Sequence, residues 1–222
     1  MALDKHVFGV SLVESEQFTV GIPFDGLMGL AQSPLSNQGV LTPVETLAKQ
    51  GLISEAITSY KISRVADGLN DGEITFGGLD QSKFDPNTLV TIDNVNQQGF
   101  WEAPFTASVQ GQDLGLKGRT AILDTGTTLM IVPQSDANAV HAMIPGAKSD
   151  RQGGFTIPCT TNTVVSLTFG GQAFDINPLD LLFAPLDPNN LQGDCISGIS
   201  SGQIGGPQEW LYVDCLPNSA QA

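Results

Sequence analysis

The pattern of apolar and polar positions along this chain is most distinctive at residues 121–132, where two apolar runs enclose one polar turn. Residues 121–123 are Ala-Ile-Leu, residues 124–128 are Asp-Thr-Gly-Thr-Thr, and residues 129–132 are Leu-Met-Ile-Val. Short apolar runs on either side of a turn predict two buried strands. Because an ordinary surface turn is not flanked by strands this apolar, we expect the polar turn to lie at the edge of a core.

The first residue of that turn, Asp124, is the candidate catalytic residue of the chain. A carboxylate at the edge of a core is costly unless hydrogen bonds stabilise it. Gly126 allows the backbone to approach the carboxylate, and the Thr127 hydroxyl can donate to it. Thr125 and Thr128 complete the turn as supporting residues. A plain hairpin turn is the alternative interpretation, but it does not explain the apolar flanks.

Elsewhere the pattern predicts mostly strands. Residues 7–22 alternate partly, as a pair of short strands does, and residues 59–65 and 73–76 resemble two strands joined by a Gly-containing turn. Residues 164–176 predict a hairpin with a Gly-Gly turn, whereas residues 102–119 are interpreted as a mostly polar strand-and-turn region.

Two helices are predicted as well. The first begins after Thr42 as N-cap, has Glu45 to complete a capping box, and ends at Gly51. The second covers residues 134–143, with Ser135 as its predicted cap. His141 on that helix is interpreted as a solvated residue and not as a base.

Composition narrows the possible functions. The 222 residues are enough to bury a full core, and 23 acidic against 9 basic residues give a formal net charge of −14. Such a surface repels phosphate backbones and anionic lipids, which argues against nucleic-acid and membrane roles. No apolar run approaches the roughly 20 residues that a membrane span needs. The three cysteines include no Cys-x-x-Cys pair and the two histidines lie far apart, so neither a metal nor another cofactor is predicted.

The motifs together resemble the pepsin-like aspartic proteases, of the fungal, secreted type. Residues 122–128 match the second active-site motif of that family, and residues 72–80 (Gly-Glu-Ile-Thr-Phe-Gly-Gly-Leu-Asp) are also similar to it. Residues 24–30 (Phe-Asp-Gly-Leu-Met-Gly-Leu) match a structural motif of its N-terminal lobe, with the matching residues Phe24, Asp25, Gly26 and Gly29. In that motif the aspartate is structural, so Asp124 remains the one catalytic candidate.

The resemblance implies a mostly β, double-lobed fold. By comparison with the family, residues 1–85 are the second half of the N-terminal lobe, residues 86–105 the central crossing strands, and residues 106–222 the C-terminal lobe with the Asp-Thr-Gly motif. The family also implies a disulfide between Cys159 and Cys195, with Cys215 left as a free thiol.

The match is expected to break at both ends. The first Asp-Thr-Gly of the family is absent, and the pattern departs at Val213, where the family has glycine. We therefore expect a partial N-terminal lobe and an incomplete C-terminal lobe. The start, residues 1–6, lacks the pattern of a signal peptide, although the family implies an extracellular or vacuolar location.

Three functional hypotheses follow from the resemblance. The chain is the portion of an aspartic endopeptidase that carries one catalytic aspartate, and it acts on peptide or protein substrates together with the missing N-terminal portion. Alternatively, it is a catalytically silent module that binds peptides or proteins. A third hypothesis is a protease assembled from two copies, with Asp124 from each. An unpaired aspartate is ionised at neutral pH and has no partner with which to share a proton, so the isolated monomer is predicted to be inactive.

Overall fold

The computed structural model describes residues 2–15, 26–64 and 67–212. Within these residues it contains fourteen strands in three sheets and two α-helices, which confirms the prediction of a mostly β fold.

The N-terminal part of the described chain holds few regular elements. Helix α1 (Pro43–Lys49) precedes an antiparallel pair, β1 (Thr58–Lys61) and β2 (Glu73–Phe76). Strand β1 is therefore shorter than the predicted 59–65 segment. Residues 7–15 form no strand, which corrects that part of the predicted pair, and residues 16–25 lie outside the described part.

The remaining elements follow from residue 102 onward. In chain order the strands and the second helix are β3 (Glu102–Val109), β4 (Gln112–Asp113), β5 (Arg119–Leu123), β6 (Met130–Val132), α2 (Gln134–Ala142), β7 (Lys148–Ser149), β8 (Phe155–Pro158), β9 (Val165–Phe169), β10 (Gln172–Ile176), β11 (Leu182–Pro185), β12 (Asp194–Ser197), β13 (Ile199–Ser201) and β14 (Glu209–Tyr212).

The largest of the three sheets has eight strands. Their order is β10-β9-β3-β5-β14-β6-β13, and β4 pairs with β3 at one side. The predicted Gly-Gly hairpin is confirmed as β9 and β10, where Gly170 and Gly171 adopt positive φ angles that a two-residue hairpin turn requires. A separate four-stranded sheet, β11-β12-β8-β7, contributes Phe155 and Ile157 to the same hydrophobic core.

Strands β3 and β4 confirm the predicted strand-and-turn region at residues 102–119, although one face of β3 is apolar and buried. The residues of β3 alternate, with Ala103, Phe105, Ala107 and Val109 buried. Thr106 and Ser108 lie between the buried residues on the other face of the strand. They lower the average hydropathy of the segment, so its alternation is easily overlooked in the sequence. The strand is in fact central, since it pairs with both β5 and β9.

The buried residues of the main core all lie between residues 103 and 212. Trp210 and Tyr212 are fully buried within it, and Phe105 meets the Trp210 ring edge-on at a centroid distance of 4.9 Å. By contrast, Val44 and Leu47 of α1 are the buried apolar residues among the described positions before residue 103. The segment that carries Asp124 is therefore anchored to the larger core.

Helix α1 has the predicted start. The Thr42 side chain accepts a hydrogen bond from the Glu45 amide, and the Glu45 carboxylate accepts one from the Thr42 amide, which completes the capping box. Burial alone would raise the pKa of Glu45, but the hydrogen bonds from Thr42 and Ser33 outweigh it and lower that pKa. Gly51 follows the helix with a positive φ of 69°.

Helix α2 differs from its prediction in two ways. Its N-cap is Pro133, without a side-chain cap, so Ser135 lies inside the first turn. His141 is only 4% exposed and stacks on Phe155 with ring centroids 3.9 Å apart, so its interpretation as solvated was wrong. The weak amphipathic pattern of this helix hid its burial, because both its buried aspartate and its buried histidine are polar residue types.

Candidate active site

The Asp-Thr-Gly turn joins β5 to β6, as expected, but these two strands do not pair with each other. Strand β14 lies between them, parallel to β5 and antiparallel to β6. Since neighbouring strands lie about 4.7–4.9 Å apart, the two arms of the turn are separated by roughly 9–10 Å. The turn is therefore held open across an inserted strand instead of closing as a hairpin.

Asp124 sits at the end of β5 and is half-buried. Its backbone amide donates to the carbonyl oxygen of Tyr212 on β14 at 3.0 Å. Oδ1 of its carboxylate accepts a hydrogen bond from the Gly126 amide at 2.9 Å, and Oδ2 accepts one from the Thr127 hydroxyl. Both oxygens thus have a donor, and the carboxylate is fixed in orientation while part of it stays accessible.

The presence of glycine at position 126 of the turn has a steric explanation. A Cβ added to Gly126 would lie 3.2 Å from Oδ1 of Asp124, tighter than most such contacts. A side chain here would push against the carboxylate that the same residue's amide stabilises. Thr125 and Thr128, the other two turn residues expected to support the site, are exposed.

Trp101 connects this turn to the N-terminal part of the chain. Its carbonyl oxygen accepts a hydrogen bond from the amide of Leu123, next to Asp124, at 2.8 Å. Its indole Nε1 donates to the carbonyl oxygen of Leu30 at 2.9 Å. Residues 30 and 123, far apart in sequence, are thus both hydrogen bonded to one residue.

The structural motif of residues 24–30 is described only in part. Phe24 and Asp25 lie outside the described residues. Gly26 and Gly29 are exposed, and no atom of the described residues lies within 4 Å of the position that a Cβ would take at either glycine. Among these residues, the close approach that glycine permits is therefore not used at either position.

A buried ionic cluster connects the start of β5 with the first turn of α2, and sequence reasoning missed it. Asp136, in the first turn of α2, has no exposed surface and accepts hydrogen bonds from Arg119 Nε at 2.6 Å and Nη2 at 2.9 Å. Trp210 Nε1 donates to Oδ2 of the same carboxylate at 2.8 Å, and the Ser135 hydroxyl donates to Oδ1 at 2.9 Å. No local pattern in the sequence indicates the cluster, because Arg119, Asp136 and Trp210 lie far apart along the chain.

The electrostatics of this cluster favour the ion pair. Burial alone would raise the pKa of Asp136, but the hydrogen bonds from Arg119, Trp210 and Ser135 outweigh it, so the pKa is lowered. The hydrogen bond to Asp136 in turn raises the pKa of Arg119. The carboxylate is therefore ionised and paired, as a buried charge must be.

The disulfide expected from the family resemblance is present. Cys159 and Cys195 are bonded and close a separation of 36 residues. Cys195 is buried on β12, and Cys159 follows β8, the strand that pairs with β12. Cys215 lies outside the described residues, so its state as a free thiol stays a prediction.

The described residues contain neither a cluster suited to a metal ion nor a membrane-spanning helix. In ranges 2–15, 26–64 and 67–212, no group of three or more His, Cys, Asp or Glu side chains is placed to hold a metal ion. No helix in the same ranges is long and apolar enough to cross a membrane.

The open strand arrangement and the doubly hydrogen-bonded aspartate define a protein that presents a carboxylate at the edge of a β core. The model of the family described as eukaryotic aspartyl protease matches residues 1–211, and the chain belongs to that family. This agrees with the resemblance that the motifs carried.

Curated relatives bear related names. A probable aspartic-type endopeptidase CTSD from Arthroderma benhamiae is 37% identical over 211 residues, and the aspartic-type endopeptidase ctsD from Aspergillus fumigatus is 33% identical over 209 residues. Rhizopuspepsin from Rhizopus chinensis is 35% identical over 194 residues. These matches cover 93%, 93% and 86% of this chain but only 40%, 43% and 47% of the relatives. The chain thus spans less than half the length of these three proteins.

Proposed function

We propose that this chain supplies one catalytic aspartate, Asp124, to an aspartic endopeptidase. The observation that carries the proposal is the pair of hydrogen bonds that Gly126 and Thr127 donate to the two carboxylate oxygens. They orient the group at the edge of the core. Thr125 and Thr128 are proposed to shape the exposed face of the same turn.

In the proposed reaction, two carboxylates hold a water molecule between them. One carboxylate takes a proton from the water, whose oxygen attacks the carbon of the scissile peptide bond. The other, protonated, gives its proton to the carbonyl oxygen, which yields a tetrahedral diol intermediate. The carboxyl that took the proton of the water then passes it to the amide nitrogen as the C–N bond breaks, and the other carboxylate takes a hydroxyl proton as the carbonyl re-forms, so the pair returns to its starting state. Asp124 is one member of this pair. No covalent intermediate and no metal ion takes part.

The second carboxylate is proposed to come from the part of the family's length that this chain does not span, which is therefore its expected partner. The apolar surface near the N-terminus supports this. A cavity of about 890 Å³ lies beside residues 6–15 and the chain before α1, and Phe8, Val10 and Leu27 in its lining are 75–85% exposed. A partner segment would cover these side chains. The division into residues 1–85, 86–105 and 106–222 is proposed from the resemblance to the lobes of the family.

The compartment is proposed to be extracellular or vacuolar. The disulfide between Cys159 and Cys195 supports an oxidising compartment, since disulfides persist there and are rare in the cytosol. Tagging the protein in its host and fractionating cells and medium tests the assignment, and recovery in the cytosol would contradict it.

Peptide cleavage at acid pH tests the catalytic proposal. The 222-residue chain is assayed alone and after refolding together with the N-terminal portion of one of the relatives. We expect cleavage only in the mixture, and Asp124→Asn should lower it by about 10²-fold or more, since acid–base catalysis contributes about 10²–10⁴-fold. Asp113→Asn, the same change on exposed β4, is the matched control.

Two outcomes would change the proposal. Cleavage by the chain alone that Asp124→Asn abolishes would show that two copies supply the pair. Cleavage in the mixture that survives Asp124→Asn would remove Asp124 from the reaction. Specific binding of a peptide without cleavage in any mixture would favour a silent binding module.

A further inference from the structure

The buried carboxylate of Asp136 has a connection to Asp124 that runs through a single strand. Trp210, whose indole donates to Asp136, lies two residues before Tyr212 on β14. Tyr212 in turn accepts the hydrogen bond from the Asp124 amide. Both residues are fully buried and therefore cannot shift without disturbing the core.

The position of strand β14 depends strongly on the buried contacts of Trp210 and Tyr212. The strand has four residues and pairs with β5 over residues 209–212, but with β6 it shares one register pair, Leu211 with Ile131. Its contact with β6 is therefore short on the side where the turn is held open. The indole hydrogen bond joins β14 to α2, which follows β6 directly in the chain.

The Asp136 carboxylate also holds β5 in position, through Arg119. Arg119 is the first residue of β5, and its guanidinium binds the Asp136 carboxylate through two nitrogens. Such a two-point contact restricts the angle as well as the distance between the two groups. One carboxylate therefore holds both β5, which leads directly into Asp124, and β14, which binds the Asp124 amide.

We propose that Asp136 is a positioning residue for Asp124, which it holds in place through Trp210 and β14. The consequence for catalysis rests on the proposed function, but the structural coupling does not. If the cluster only filled the core, an apolar residue of similar size would serve at each position, because replacing a buried ion pair by apolar residues is often neutral or stabilising.

Amide hydrogen exchange, measured residue by residue by NMR on the full 222-residue chain, tests the coupling. Trp210→Phe removes the indole donor and keeps an aromatic ring in the core. We expect the Asp124 amide to exchange about 10-fold faster or more, because its acceptor strand opens locally. The amides of the β9–β10 hairpin should exchange at the same rates as in the wild type.

Phe105→Leu is the matched control. Phe105 touches the Trp210 ring from β3, so this change loosens the same part of the core without removing a hydrogen bond of the cluster. It should alter exchange broadly and not single out Asp124. Asp136→Asn should resemble Trp210→Phe, and the double variant should accelerate the Asp124 amide no further than the stronger single variant does.

The proposal would be overturned if, in Trp210→Phe and Asp136→Asn, the exchange rate of the Asp124 amide changed only as much as the rates of the β9–β10 hairpin amides. In a mixture that cleaves peptide, the same variants should lower kcat and leave KM unchanged, since they move the catalytic group and not the substrate contacts. If no mixture cleaves, the proposed function fails while the exchange result still decides the coupling.

Discussion

The imidazole Nε2 of His141 lies 2.8 Å from the hydroxyl oxygen of Ser197, 56 residues further along the chain. Its other nitrogen, Nδ1, lies 2.7 Å from the carbonyl oxygen of Ala137. A carbonyl oxygen only accepts, so Nδ1 carries the hydrogen and Nε2 of the neutral ring accepts from Ser197. The Ser197 oxygen also accepts a hydrogen bond from the Ile199 amide at 3.2 Å. The neutral ring is therefore fully satisfied.

Protonation of His141 disrupts this arrangement. Nε2 would become a donor, and the Ser197 hydroxyl would have to turn away and find another acceptor. Burial lowers the pKa of His141, and the hydrogen bond to the Ala137 carbonyl only partly opposes this. Among the elements that pack on the ring, the acidic side chain of Asp136 on α2 faces Arg119 and that of Asp194 on β12 faces Lys148. Neither is hydrogen bonded to His141.

The free energy of unfolding should therefore decrease as the pH is lowered from neutral to mildly acidic. The unfolded chain takes up the proton near the ordinary histidine pKa of about 6.5, before the folded chain does. The contribution of His141 is complete above that pH, is lost as the pH falls below it, and stops changing below the lowered folded pKa. The slope is at most about 1.4 kcal/mol per pH unit for one proton. Urea unfolding between pH 7.5 and 5 measures it.

His141→Gln removes the titrating group and keeps a donor and an acceptor, so it should flatten this slope even if it lowers stability throughout. The matched control is His6→Gln, because His6 is the only other histidine in the chain. A slope that persists in His141→Gln and vanishes in His6→Gln would contradict the assignment.

A second prediction concerns the ion pair between Arg64 and Asp180, which joins the chain after β1 to the short helical turn before β11. Arg64 Nε lies 2.9 Å from Asp180 Oδ2, Nη2 lies 3.3 Å from Oδ1, and the two side chains are 14% and 9% exposed. Asp180→Asn should lower the free energy of unfolding by about 1.5–3 kcal/mol, the usual contribution of a hydrogen bond to a charged group. Thermal and urea unfolding measure this loss.

The control pair is Lys148 with Asp194, whose lysine side chain is 65% exposed. Lys148→Gln should have a smaller effect, because water screens an exposed pair. Equal losses of unfolding free energy in Asp180→Asn and Lys148→Gln would show that burial does not make the first ion pair more stabilising than the second.

A third prediction concerns the disulfide. Replacing Cys159 and Cys195 together with alanine should lower the free energy of unfolding by about 3–4 kcal/mol, because the bond limits the unfolded chain over 36 residues. Peptide mapping without reduction should find these two cysteines linked and Cys215 free. A linked peptide that contains Cys215 would overturn that pairing.

What could be predicted from sequence depended on how local the signal was. The capping box of Thr42 and Glu45 and the Gly-Gly hairpin at residues 170–171 are fixed by neighbouring residues, and both are confirmed. The hydrogen bonds to the Asp124 carboxylate come from within the same turn and are present as expected. Local chemistry was therefore sufficient for these features.

Features that depend on distant residues were missed. Nothing near residues 121–132 indicates that β14, almost 80 residues later, lies between the two arms of the turn. Likewise, the burial of His141 depends on Phe155 and Ser197, and that of Asp136 on Arg119 and Trp210. Polar residue types predict exposure unless a partner is known, and the partner is a property of the fold.

The last prediction is that the isolated chain associates with itself through its N-terminal segment. Leu12 and Val13 are 94% and 88% exposed, and Phe8 is 76% exposed, an unusual density of bare apolar side chains in one short segment. Light scattering after size exclusion should show dimers or larger species. Replacing Leu12 and Val13 with serine should shift the distribution toward monomer, whereas Leu191→Ser, which changes a single leucine that is 64% exposed elsewhere, should not. A wild-type chain that elutes as a monomer across a wide range of concentrations would show that this segment does not drive association.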